Sequence, residues 1–243
     1  MIIAGLAAYM SAEPTYIPAF MGGPIYHKNP EKMNKAIIRS LAAYSVVTGI
    51  AISHKAGTKF MSPSPDGTFY ENLLTMVGHT EASTGGPNAI HLSSLRRLGV
   101  LCADHEVTNS TFAMLVTSSS LTDPLSALIS GLTAAYGPLH MGASESAYKT
   151  MQKIGTPDRV PALIESVKRG ERRLFGYGHR MYRTVDPRIN LGRMILDDLK
   201  IESNPILAVA MEVDRIASTD EYFTKRKLCA NADLYITFFY IAM

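Results

Sequence analysis

Residues 31–54 read EKMNKAIIRSLAAYSVVTGIAISH, and their apolar residues recur at the spacing of one face of an α-helix. A pattern of this length predicts one long helix. Strand-like alternation is scarce in the rest of the chain, and no Asn-Gly or Asp-Gly turn separates two alternating segments. We therefore expect an all-α fold.

Proline, glycine and aspartate indicate where further helices begin and end. Asp123 is placed to cap a helix whose first turn contains Pro124, and Gly137 and Pro138 predict the end of that helix. The apolar stretch at 1–14 predicts a buried helix. The remaining predicted helices run over 69–78, over 103–120 from an acidic start at Asp104, over 156–170, and onward from 186.

Composition argues against several classes of protein. A net charge of +3 over 243 residues, with no long run of Lys and Arg, argues against nucleic-acid binding. No apolar run approaches the length of a membrane span, and the start of the chain lacks the basic residues of a signal peptide. Cys102 and Cys229 lie far apart with no CxxC pair, so we expect no disulfide and an intracellular, reducing location.

Two segments framed by glycine each carry a histidine at the junction of a loop and a helix. They read GPLHMG at 137–142, with His140, and FGYGH at 175–179, with His179. Glycine lets a backbone approach a ligand closely, and loop residues on a helical scaffold often carry chemistry. These two histidines are therefore the first candidates for a functional site.

Four strings together resemble the citrate synthase family. The family's marks are ADHE, GPLHGGA, GxGHRxY followed by DPR, and a late Asn-x-Asp segment. All four occur here in the family's order, the second with one substitution. The resemblance runs along nearly the whole chain, and the stretches at 63–74 and 120–137 are most similar to fungal members. The four strings are LCADHEVTNSTF at 101–112, AAYGPLHMGASES at 134–146, LFGYGHRMYRTVDPR at 174–188 and LCANADLY at 228–235.

The resemblance implies that the protein joins an acyl-CoA to oxaloacetate by a Claisen-type condensation. His140 matches the histidine that donates a hydrogen bond to the thioester carbonyl of acetyl-CoA. Asp233 matches the carboxylate that removes the proton from the methyl group. His179 matches the histidine that binds and polarises the ketone of oxaloacetate.

Further residues match the family's binding groups. His105 matches a second histidine that contacts oxaloacetate, and Arg188 matches an arginine that pairs with one of its carboxylates. Arg183 matches a basic residue near the CoA phosphates. The backbone along Phe175, Gly176, Tyr177 and Gly178 matches a segment that lies against the CoA adenine.

These residue types suit the chemistry. A thioester α-proton is weakly acidic, so a carboxylate base needs a partner that donates a hydrogen bond where negative charge develops. A neutral histidine at a helix N-terminus can do this, and His140 precedes the predicted helix GASESAYKTM. Histidine donors activate the ketone, and arginines hold the carboxylates. We expect no metal and no redox cofactor.

The resemblance also implies a two-domain, citrate-synthase-like helical fold. Residues 1–140 match part of the large helical domain, and residues 141–243 match the small domain, truncated at its C-terminus. The family is longer at both ends and forms homodimers, so we expect a homodimer if the protein is complete. The apolar last residues, YITFFYIAM at 235–243, carry no stop signal, so we expect the chain to be cut within an element. The implied setting is cytoplasmic or mitochondrial, in the tricarboxylic acid cycle or in fungal alkylcitrate synthesis.

Three departures from the family leave the acyl chain open. Met141 stands where the family has glycine, and Ser144-Glu145 stands where Asn-Glu is usual. The segment after Asp233 lacks the usual Ser-Gly. Acetyl-CoA, propionyl-CoA and longer acyl-CoAs therefore remain alternatives. A second class of function is a catalytically impaired fragment or paralogue that binds a ligand or partner without turnover.

The same residues also allow a metal site, a solvated surface or a purely structural role. A three-histidine zinc site made of His105, His140 and His179 is disfavoured, because the sequence has no HExxH and no short histidine pair. Arg180, Arg183 and Arg188 around a glycine-framed histidine favour an anion site over a solvated face. A structural or solvent role is expected for the other histidines, His27, His54, His79 and His91.

Overall fold

The structure, a computed structural model, describes residues 1–242 and divides into two compact units. The first unit covers residues 1–136, and the second begins at Gly137. Within the described residues the regular elements are twelve α-helices and three short 3-10 turns, with two isolated β-bridges and no strand. The prediction of an all-α fold is confirmed. The assignment of 1–140 and 141–243 to a large and a small domain stays a prediction.

The first unit contains six of the helices. Its core cluster is formed by Leu6, Ala43 and Leu125, which come from the first, second and sixth helices. Around this cluster the partly buried side chains of Tyr44 and Val47 complete the packing. The six helices are α1 (Ile2–Ala12), α2 (Pro30–Ala56), α3 (Phe69–Met76), α4 (Ala89–Ala103), α5 (Asn109–Ser118) and α6 (Pro124–Ala135).

The long helix predicted from 31–54 is confirmed as α2. The side chain of Asn29 accepts a hydrogen bond from the Lys32 amide, Pro30 occupies the first turn, and Gly57 ends the helix at a φ of 68°. The helix has 27 residues, and an 18-residue window has a mean hydropathy of 1.6, enough by length and composition to cross a membrane. The prediction that no apolar run approaches such a length is therefore wrong. This is weak evidence for a span, because core helices pass the same test, and α2 packs against α1, α3 and α6.

The single helix predicted over 103–120 is wrong. Helix α4 ends at Ala103 with Asp104 as its C-cap, and α5 begins only at Asn109. Between them Glu106 takes a φ of 61°, which a continuous helix cannot contain. The Thr108 side chain then accepts a hydrogen bond from the backbone of the first turn and starts α5.

Other start and stop signals are confirmed. The Asp123 side chain accepts a hydrogen bond from the Ser126 amide at 2.8 Å, and Pro124 is the first residue of α6. The short helix predicted over 69–78 is confirmed as α3, which ends at Met76 and begins with a capping box of Thr68 and Glu71 that was not predicted. The apolar start of the chain forms α1, but Leu6 is its one fully buried residue, so the helix predicted there to be buried is only partly buried.

The second unit contains the other six helices. Its core includes Ile164, Ile195, Val209, Phe223 and Phe238, whose side chains are at most 2 % exposed. The helices are α7 (Gly142–Ile154), α8 (Val160–Lys168), α9 (Arg188–Asp198), α10 (Pro205–Ala217), α11 (Glu221–Lys225) and α12 (Ile236–Ala242). The last residue of the apolar run at 235–243 lies outside the described residues, so the expected cut within an element stays a prediction.

Candidate active site

The predicted site residues are divided between the two units. His105 lies in the first unit, in the irregular link between α4 and α5, and not at the helix start that the sequence indicates. His140, His179, Arg188 and Asp233 all lie in the second unit.

The glycine-framed loop at 175–179 pairs with the segment that leads to Asp233. The Gly178 amide donates to the carbonyl of Cys229 at 2.7 Å, and the Asn231 amide donates to the carbonyl of Gly176 at 2.9 Å. The Asn231 side chain also donates to the Gly178 carbonyl at 2.7 Å. These bonds fix the loop against a distant part of the chain.

Two glycines make this close pairing possible. Gly176 and Gly178 take φ values of 87° and 83°, where a side chain is strained. A Cβ on Gly176 would lie 3.0 Å from the Cα of Leu234, and one on Gly178 would lie 2.9 Å from the side chain of Leu228. The glycines therefore let the loop approach another segment of this protein. The sequence analysis predicted that they let the backbone approach a ligand.

Asp186 holds Arg188 in place from a buried position. Its carboxylate accepts from Nε and Nη2 of Arg188 at 2.9 and 2.6 Å, from the Arg188 amide at 3.0 Å, and from the Ala232 amide at 3.1 Å. Burial raises the pKa of Asp186, but the hydrogen bonds from Arg188 outweigh it and hold that pKa below its ordinary value. The guanidinium of Arg188 is thus oriented beside the residue that precedes Asp233.

Asp233 is the carboxylate at the centre of the site. It lies in a 3-10 turn over Ala232–Leu234, where its amide donates to the Asn231 side chain at 2.9 Å. The hydroxyl of Ser144 donates to its Oδ1 at 2.6 Å. Burial raises the pKa of Asp233, although the hydrogen bond from Ser144 opposes this change. A carboxylate with a raised pKa is a stronger base than one in water.

His140 lies two residues before α7. Its amide donates to the carbonyl of Gly137 at 3.0 Å, which fixes the turn that leads into the helix. Burial lowers the pKa of His140, and the negative charge of Asp233 opposes this effect. The imidazole is therefore neutral near pH 7, and it interacts electrostatically with the Asp233 carboxylate.

His179 is held as one particular tautomer. Its Nδ1 accepts hydrogen bonds from the amides of Met181 and Tyr182, both at 3.2 Å, and its ring stacks on Tyr182 with centroids 4.5 Å apart. An Nδ1 that accepts carries no proton, so the neutral ring has its proton on Nε2. Burial lowers the pKa of His179, in part against the charge of Asp186. Nε2–H is then a neutral hydrogen-bond donor.

Several of these groups influence the pKa of another. Arg188 and His179 both lower the pKa of Asp233, and Asp233 in turn acts on the pKa of His140. Two imidazoles, one guanidinium and one carboxylate thus form a single electrostatic cluster. Arg183 is exposed, and its backbone carbonyl lies 3.8 Å from the Cys229 sulfur.

Three residues that support the site were given no role in it by the sequence analysis. Asp186 was interpreted as a helix start, Asn231 only as part of the Asn-x-Asp segment, and Ser144 only as a departure from the family, yet each holds a predicted site residue in place. The Arg173 guanidinium lies 5.4 Å from the centre of the Phe175 ring and adds a cation to the loop. Among residues 1–242, no group of three or more His, Cys, Asp or Glu is arranged to hold a metal ion.

Comparison with known proteins gives a consistent result. The family model for "Citrate synthase, C-terminal domain" matches residues 1–243. The chain is 48 % identical to an alkylcitrate synthase, phiJ, of Fungal sp. and 49 % identical to a citrate synthase-like protein, oryE, of Aspergillus oryzae. All of this chain is covered in both comparisons, but only 53 % and 55 % of those proteins.

A solved structure has the same fold. The citrate synthase of Thermoplasma acidophilum, in a ternary complex with carboxymethyl coenzyme A and oxaloacetate, superposes with a TM-score of 0.84 at 25 % identity. The match covers 99 % of this chain and 60 % of that one. The protein described here belongs to the citrate synthase family. Its chain spans about half the length of the curated relatives it matches.

Proposed function

We propose that the protein condenses an acyl-CoA with oxaloacetate to give citrate or an alkylcitrate and free CoA. The observation that carries this proposal is the partly buried Asp233 carboxylate, which accepts a hydrogen bond from Ser144 and lies in the electrostatic field of two imidazoles whose pKa values are lowered by burial. A base with a raised pKa beside neutral donors suits the removal of a weakly acidic proton. The complex of the related citrate synthase with a CoA analogue and oxaloacetate supports the choice of substrates.

In the proposed reaction Asp233 takes a proton from the α-carbon of the acyl group. The electron pair of that C–H bond moves towards the thioester oxygen, to which His140 donates a hydrogen bond. The resulting enolate carbon attacks the ketone carbon of oxaloacetate, whose oxygen accepts a hydrogen bond from Nε2–H of His179. The alkoxide formed takes a proton from solvent, to which Asp233 returns the proton that it removed. Water then cleaves the thioester, and CoA leaves as a thiol.

Arg188 has a positioning and charge-pairing role in this proposal. Its side chain is 16 % exposed and is held in place by Asp186, and we propose that it pairs with one carboxylate of oxaloacetate. His105 is proposed as a second oxaloacetate contact, and Arg183 with the loop at 175–179 as the binding site for CoA. No metal or redox cofactor is needed, because proton transfer and hydrogen bonding supply the whole reaction.

We include acyl-CoAs longer than acetyl-CoA among the proposed substrates. One relative is called an alkylcitrate synthase, and Met141 places a flexible apolar side chain directly beside His140. We propose an intracellular protein, cytoplasmic or mitochondrial, that acts as a homodimer when complete.

Thiol release from acyl-CoAs of increasing length, with oxaloacetate present, tests the proposal. Replacing the base, Asp233→Asn, should lower the rate by about 10²–10⁴-fold. The matched control Asp197→Asn removes an exposed carboxylate on α9 and should leave the rate unchanged. Oxaloacetate binding without thiol release at high protein concentration would contradict turnover and support the non-catalytic alternative.

A further inference from the structure

Helix α10 carries a buried carboxylate that the proposed reaction does not use. Asp214 is 8 % exposed and lies on a helix whose neighbouring residues Ala210, Val213 and Ala217 are almost fully buried. A charge in such a place is costly unless it is paired and hydrogen-bonded. Its partners therefore indicate why an apolar side chain does not occupy the position.

Those partners come from the two segments that carry His179 and Asp233. The Tyr177 hydroxyl donates to Oδ1 of Asp214 at 2.5 Å, and the Tyr235 hydroxyl donates to Oδ2 at 2.8 Å. Burial raises the pKa of both phenols, so both keep the proton that they donate.

The Asp214 carboxylate also has a cationic partner. Arg193, on α9, donates to Oδ2 of Asp214 and to the Tyr235 hydroxyl. Its guanidinium lies 5.3 Å from the centre of the Tyr235 ring. The negative charge is thus balanced, and each carboxylate oxygen has a donor.

The two tyrosines stand close to the reacting groups along the chain. Tyr177 is two residues before His179, and Tyr235 is two residues after Asp233. Tyr177 also forms an isolated antiparallel bridge with Ala230, in the segment that leads to Asp233. A single carboxylate on a helix therefore accepts a hydrogen bond from a side chain of each of the two segments.

We propose that Asp214 is a positioning residue, which sets the placement of His179 through Tyr177 and of Asp233 through Tyr235. This inference rests on the proposed function for its effect on rate. A role in packing alone would not require one carboxylate to join both segments. It also would not predict that substitutions of Asp214 and Tyr177 have non-additive effects on kcat.

The test compares Asp214→Asn with the parent protein in thiol release and in NMR spectra of the His179 imidazole. Displacement of the reacting groups by about 1 Å should lower kcat by about 10²-fold, with little change in KM, and should shift the His179 resonances. The combination of Asp214→Asn with Tyr177→Phe should lower kcat by much less than the product of the separate effects. The control Glu212→Gln, at a partly buried carboxylate of α10 that pairs with Arg215, should leave kcat unchanged.

A second control distinguishes a loss of kcat caused by lower protein stability from one caused by displacement of the reacting groups. Ile164→Val removes one methyl group from a buried side chain of α8, and it should lower stability without changing kcat. If Asp214→Asn does not fold, the double variant Tyr177→Phe with Tyr235→Phe removes the same two hydrogen bonds and should lower kcat in the same way.

A folded Asp214→Asn protein with unchanged kcat and unchanged His179 resonances overturns the inference. So does an unchanged kcat in the double tyrosine variant. If the parent protein itself releases no thiol, the proposed function fails, and the His179 resonances together with hydrogen exchange at the Asp233 amide still decide the role of Asp214.

Discussion

Replacing Asp186 by asparagine should be one of the most destabilising single changes in the second unit. The Asp186 side chain is fully buried, and its two oxygens accept from Arg188 Nε, Nη2 and amide and from the Ala232 amide. Asparagine keeps the shape but has one acceptor oxygen, and it leaves the Arg188 guanidinium without its counter-charge. Breaking a buried pair from one side costs about 3–5 kcal/mol.

That cost can be measured by thermal and urea unfolding at pH 7. For a chain of this size each kcal/mol lowers Tm by about 2–4 °C, so the Tm of Asp186→Asn should fall by about 6–20 °C. The control Glu171→Gln breaks an exposed pair with Arg169 and should change Tm very little. A loss below about 1 kcal/mol for Asp186→Asn would refute the assignment of this pair as the anchor of the site.

The same pair makes a prediction about pH. The pKa of Asp186 is lower in the folded protein than in the unfolded chain, so its stabilisation is present above the unfolded value of about 3.9. The stabilisation is lost as the pH falls through the lower, folded pKa. The difference in stability between parent and Asp186→Asn should therefore be full at pH 7 and shrink below about pH 4. A difference independent of pH would contradict this account.

Three further changes test other parts of the second unit. Ser144→Ala removes a hydrogen bond to the charged form of Asp233, so the pKa of that carboxyl should rise. The acid limb of the pH–rate profile should therefore move to higher pH. An unchanged acid limb would count against the contact. Gly176→Ala should lower the free energy of unfolding more than Gly170→Ala, because both glycines have a positive φ but only a Cβ at position 176 would meet another backbone, at 3.0 Å. Phe238→Ala should cost about 3–5 kcal/mol in urea unfolding, since that ring is fully buried.

Local signals in the sequence were sufficient for much of the fold. Asp123 and Pro124 start α6 as their types predict, because a cap needs only a side-chain oxygen next to free amides. The prediction of a single helix over 103–120 was wrong because the break depends on one residue, Glu106, in a left-handed conformation. Because glutamate is not typical of that conformation, the apolar periodicity predicted one continuous helix across Glu106.

The candidate site was predictable only in part. The glycine frames make His140 and His179 visible, because such framing is unusual in a helical chain. Asp214 looks like an ordinary helix carboxylate, and its role depends on Tyr235, 21 positions away, and on Tyr177, 37 positions away. Contacts at that separation are decided by packing, and no local pattern carries them.

The pairing between the loop at 175–179 and the segment before Asp233 has a consequence for folding. The hydrogen bond from Asn231 to Gly178 closes a stretch of 53 residues that includes α9, α10 and α11. Closing such a stretch costs entropy, and that cost is returned only when the packing inside it is complete. The loop at 175–179 and the segment before Asp233 should therefore pair late in folding and in one step. The amides of Gly178 and Asn231 should then gain protection from hydrogen exchange together, after the amides of the helices that they enclose.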